Sequence, residues 1–133
     1  MNSEEYVFVY GRLRTEFWKG FLLAQQKSFG TARTVQRYAL YISKMPYVRM
    51  DRAVSPIRGE VYAVTPRALR DLDSLMAHPT WYRRHKVAVA FEDGREITAW
   101  MYARPGTRGV LVESGDLLNR ETALTGPEQE QKR

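Results

Sequence analysis

Tyr6-Val7-Phe8-Val9-Tyr10-Gly11-Arg12-Leu13-Arg14 is the stretch on which the reading turns. Five aromatic or β-branched residues in succession predict a short strand buried on both faces. Gly11 then ends it sharply, because glycine turns there without steric cost. Two arginines follow within three residues, which brings guanidinium forks beside exposed backbone N–H groups. Such a place suits an anion or a developing negative charge. A core strand followed by an ordinary turn is the plainer alternative, since many α/β domains begin that way.

Working outward, the chain of 133 residues is sized for one domain with a proper core. We place that domain at residues 1–120, with a polar, fraying tail over residues 121–133. Apolar residues make up 44% and charged residues 27%, the balance of an ordinary globular domain. No apolar run approaches the roughly 18 residues of a membrane span. Met1-Asn2-Ser3-Glu4-Glu5 is acidic and leads directly into the strand, unlike a signal peptide. These features predict a cytoplasmic protein. There is no cysteine, hence no disulfide framework and no thiolate nucleophile or ligand. His78 and His85 are the only histidines, so a zinc site is not expected.

Sixteen arginines and five lysines give a net charge of +6. Nucleic acid is the first partner such a balance suggests. The arginines are scattered, however, and the densest basic run is Tyr82-Arg83-Arg84-His85-Lys86. No helix-turn-helix, zinc-finger or RNA-recognition signature accompanies them. Neither nucleic acid nor a membrane is therefore expected as a partner, and a small acidic ligand is the more economical reading.

Residues 16–27 carry Phe17, Phe21, Leu22 and Ala24 at helical spacing, widened by Trp18 and Leu23, and predict a helix that Gly30 stops. Residues 31–43 read as two strands with a bend. Residues 45–56 read as a loop, with Pro46 and Pro56 arguing against a central strand between them, and residues 57–64 form the next strand. Thr65-Pro66 is a helix start: threonine caps and proline takes the first helical position. Leu69, Leu72, Leu75 and Met76 would line one face of that second helix, which His78-Pro79 ends. Residues 81–91 and 95–103 are strands joined by a hairpin at Asp93-Gly94. The sum is an α+β fold: a small mixed, mostly antiparallel β-barrel of about six strands with two main helices.

Val7 to Arg14 resembles the tyrosine–glycine–small–leucine–arginine opening of the γ-glutamylcyclotransferase superfamily. Gly59-Glu60-Val61-Tyr62 matches next, then residues 72–79 with Tyr82-Arg83-Arg84. Ala99-Trp100-Met101-Tyr102 and Ser114-Gly115-Asp116 complete a set that follows family order to about Leu118. The resemblance implies a compact barrel and a cofactor-free reaction. In it, the α-amino group of a γ-glutamyl donor attacks its own side-chain carbonyl, giving 5-oxoproline and a free amine. Backbone N–H groups over Tyr10, Gly11, Arg12 and Leu13 would hold substrate, and Tyr82 and Tyr102 would line the pocket.

Two departures stand out. Arg12 replaces a small hydroxylic residue and could clamp a further carboxylate or phosphate, or merely fill the pocket mouth. Met76 falls at the family's catalytic glutamate, and a thioether cannot accept a proton. By its helical stripe alone, Met76 is a core residue. A binding pseudoenzyme, a relocated base and an inactivated variant all stay open. Asp73 reads as a structural hydrogen-bonder rather than a substitute base. Glu60, mid-strand, is a candidate to face the barrel interior, and His78 suits a helix end. Arg83, Arg84 and Lys86 read as a solvated strand edge, and Trp18, Trp81 and Trp100 as core or barrel-closing bulk.

Overall fold

The computed structural model describes residues 5–10 and 26–117. Eight strands and one helix lie among them. β1 (Glu5–Tyr10), β2 (Lys27–Thr34), β5 (Arg58–Val64), β6 (Arg83–Phe91) and β7 (Glu96–Ala103) form a closed barrel in the order β1-β5-β2-β6-β7. Neighbours are antiparallel except at the seam, where β7 meets β1 in parallel at Val7 and Trp100. A second sheet has the order β4 (Pro46–Arg49), β3 (Ala39–Ile42), β8 (Val110–Val112). Helix α1 (Pro66–Leu75) packs against the barrel's outer face.

β1 is buried on both faces, as its composition predicts. Phe8 and Tyr10 join Val61, Val87, Val89, Ala99 and Met101 inside the barrel. Val7 and Val9 look outward, to Tyr62, Val64 and the helix residues Leu69 and Leu72. Gly59 permits the tight pairing of β5 with β1, since a Cβ there would stand 2.1 Å from the Val9 carbonyl oxygen. Thr65 caps α1 by accepting from the Ala68 N–H at 3.1 Å, with Pro66 opening the first turn.

The structure revises several expectations. Gly30 stops no helix: it lies within β2, at a register shift beside Ser28, with φ at +94°. Lys27 is already strand; the rest of the predicted helix, residues 16–25 with Trp18, lies outside the described residues, as does the predicted tail. Pro46 opens a strand rather than a loop. β4 is an edge strand, where a missing N–H leaves no ladder bond unmade. Leu75 is exposed, so the apolar face of α1 runs through Ala68, Leu69 and Leu72 to Met76. Glu60 alternates with the inward-facing Val61 and stands on the outer face, where it accepts from the Tyr62 hydroxyl. Trp81 is 46% exposed and is not core.

Candidate functional site

Where α1 ends, its last turn lies against the outer face of the β6–β7 hairpin. The hairpin turn fixes what meets it. Six residues out from the Ala90–Glu96 pair on each strand, Arg84 stands opposite Tyr102. Both side chains reach Asp73 of α1. The Tyr102 hydroxyl donates to Asp73 Oδ1 at 2.7 Å. Arg84 donates to both carboxylate oxygens, from Nε at 2.7 Å and Nη2 at 3.0 Å. Beneath them the Arg84 guanidinium lies 4.1 Å from the centre of the Trp100 ring, and Trp100 Nε1 donates to Glu5. The Arg84 backbone N–H donates to His78 Nδ1 at 3.2 Å, which fixes that nitrogen as an acceptor.

These contacts set the protonation states. Burial pushes the Asp73 carboxyl up, but the hydrogen bonds from Arg84 and Tyr102 outweigh it and hold the group below its ordinary value. Asp73 is thus a firm anion and a weak base. Burial, then the bond to Asp73, drives the Tyr102 phenol far above its usual range. Burial also pushes Tyr82 up to about 12. Burial, with Tyr82 nearby, raises Tyr10 well above its ordinary value. All three are neutral hydroxyls near pH 7, able to donate but not to act as phenolate nucleophiles.

Met76 is the C-cap of α1 and fully buried. Its N–H donates to the Leu72 carbonyl, and its own carbonyl accepts from the Tyr82 N–H. Ala77, with φ at +54°, turns the chain there and sends it through the Pro79 loop into β6. Met76 shares a buried cluster with Tyr47, Tyr82 and Tyr102. Tyr82 donates to the Pro46 carbonyl at 2.8 Å, and Tyr47 to that of Arg108. Tyr10 approaches from the barrel interior, its hydroxyl donating to the Tyr102 carbonyl at 2.7 Å. Among the described residues no three His, Asp or Glu side chains converge as a metal site.

A family model described as "Gamma-glutamyl cyclotransferase, AIG2-like" matches residues 7–119. The chain belongs to this family. Among γ-glutamylcyclotransferase relatives, the Methanocaldococcus jannaschii protein named "Putative gamma-glutamylcyclotransferase MJ1514" is 46% identical over 113 residues, covering 84% of this chain and 94% of that one. The crystal structure of YkqA from Bacillus subtilis superposes with a TM-score of 0.73 at 27% identity, over 93% of this chain and 43% of that one. An AIG2-like protein from Mus musculus gives 0.70 at 24% identity, over 79% and 80% of the two chains, which speaks for the fold.

For this γ-glutamylcyclotransferase-family chain, the structure gathers Met76, Tyr82 and Tyr102 into one cluster and links Tyr10 to it by a hydrogen bond. Gly11, Arg12 and Leu13 lie outside the described residues. Asp73 is the structural hydrogen-bonder expected of it. Arg84 is not a solvated edge: it is half-buried and forked onto Asp73. Its pairing was available in principle by counting outward from the Asp93-Gly94 turn. Arg104, held among the rings of Tyr47, Trp81 and Tyr82, carried no such signal.

Proposed function

We propose that the site takes a γ-glutamyl compound, and that the cyclisation typical of the family is impaired in this chain. In that reaction the donor's α-nitrogen forms a bond to its own γ-carbonyl carbon, the bond to the leaving amine breaks, and 5-oxoproline closes. The ammonium proton must leave before attack, and the departing nitrogen must gain one. Position 76, which on the sequence resemblance corresponds to the family's glutamate, offers a thioether for that task. The observation that carries the reading is the state of Asp73. This carboxylate already serves Arg84 and Tyr102, and its depressed pKa opposes uptake of a proton.

The same observation favours a second reading, in which the chain binds such ligands without turning them over. One assay separates the two. Release of 5-oxoproline is measured from a panel of γ-glutamyl amines and amino acids, with Met76 and with Met76→Glu, both shown to be folded. The substitution returns a carboxylate of similar reach to a buried position, where burial raises its pKa toward neutrality. A gain in kcat on the order of 10²-fold or more is expected. Rapid turnover by the Met76 form would refute impairment. Inactivity of both forms on every donor would leave the binding reading.

A further inference from the structure

A groove of about 450 Å³ opens beside the loop that leads from α1 into β6. Trp81, Arg83, His85 and Arg104 line it, together with Asp51 and Pro105. Asp73, Met76 and Tyr102 do not, so the groove is distinct from the Asp73 cluster and adjoins the buried tyrosines through Arg104. Its volume falls in the range of small-molecule sites, roughly 300–1,000 Å³.

Its charge is unbalanced. Asp51 is the carboxylate in the wall, and it is spent: Arg49 holds both its oxygens, at 3.0 and 2.9 Å. Among the described residues neither Arg83 nor Arg104 forms an ion pair. Arg104 is the more telling of the two. Its guanidinium is fixed by three rings, with centres 5.1 Å away for Trp81, 5.4 Å for Tyr47 and 5.8 Å for Tyr82. Its Nε is buried with no hydrogen-bond partner. A guanidinium held in place by rings, lining the groove and without a carboxylate partner is organised for an anion that comes from outside. His85, held below its ordinary pKa by burial and by the charge of Arg83, is a neutral imidazole near pH 7 and adds a further polar contact. Trp81 supplies the apolar wall. Its ring is braced edge-on by Tyr82, with centres 5.0 Å apart, yet it is nearly half exposed.

We infer that this groove binds a small organic anion with a flat, aromatic body, its carboxylate or phosphate on Arg104 and Arg83 and its body along Trp81.

The test is an amide and indole NMR titration of the whole chain with phenyl phosphate, phenylacetate, inorganic phosphate and benzyl alcohol. Both aromatic anions, or one of them if the groove selects its headgroup, are expected to shift the Trp81 indole and the amides of Arg83, Ala103 and Arg104 saturably. The Kd should be at or below about 1 mM. Inorganic phosphate should bind more weakly and benzyl alcohol should not compete. Loss of a charge-assisted contact in Arg83→Ala, an exposed position, should weaken binding roughly 10-fold or more. Arg104→Met should do the same with the remaining spectrum intact, and if it unfolds, Arg83→Ala still decides. Absence of saturable shifts with both anions would overturn the inference. So would equal binding of the alcohol, indifference to Arg83→Ala, or tighter binding of a single-stranded RNA than of either anion.

Discussion

Asp73 shows how a carboxylate beside a candidate site can be fully engaged by its neighbours. It sits a helical turn from Met76 and touches Tyr102, yet two bonds from Arg84 and one from Tyr102 hold it as an anion. The pair is half-buried, so its worth lies between that of exposed pairs and buried ones. We expect Arg84→Ala to cost about 1–2 kcal/mol at pH 7, read from urea midpoints. The pH dependence has a definite sign. The folded-state pKa of Asp73 is depressed, while the unfolded value is about 3.9. Its contribution is therefore fully present above that value and is lost as pH falls through the folded pKa. Asp73→Asn should lower the stability difference between pH 7 and pH 3; an unchanged difference would mean the carboxylate is not paired in solution. At this scale the sequence was legible where a residue's place on its own element limited what it could do. Asp73 was read correctly from its place on the helix. Trp81 was misread, because hydrophobicity alone does not tell a core indole from one that walls a groove.

Single elements were legible where local chemistry dictates them and obscure where pairing does. Thr65-Pro66 announces α1 because a cap and a fixed φ act within a few residues. Thr65→Ala should cost about 1 kcal/mol by the same denaturation measurement. Asp93-Gly94 likewise announces the β6–β7 hairpin. β4 was hidden, since Pro46 is excluded from a strand only if the strand has neighbours on both sides, and edge position is not written in the sequence. The start of β2 was hidden by Gly30, which punctuates a helix and a β-bulge equally well. Gly59 is the opposite case, matched by the family pattern but explained only by the structure. With the Val9 carbonyl so near its absent Cβ, Gly59→Ala must push β5 away from β1. The expected loss is larger than that at Thr65, at least ~2 kcal/mol, on the scale of core overpacking. A smaller loss would show that the two strands can separate at little cost.

Across the whole molecule, the barrel type was readable because six strand-like segments and a tight hairpin leave few alternatives. The additional strands of the small sheet, β4 and β8, were not, for they flank β3 and depend on contacts far apart in the chain. The same topology bears on how the protein is made. β1 is translated first, but in the finished ring it lies between β5 and β7, and the seam at Val7 and Trp100 waits for the second half of the chain. Until β5 emerges, a strand with the sequence Glu-Tyr-Val-Phe-Val-Tyr has no native neighbour, and until β7 follows one of its edges stays open. Growing chains that end before β7 should therefore stay open to proteolysis near β1 and recruit chaperones, becoming resistant once residue 103 is free to close the ring. Protection of truncated chains ending after β5 would show that the antiparallel half folds alone. For this barrel, ribosome time rather than final stability is the interval in which the nascent chain is most exposed to misassembly.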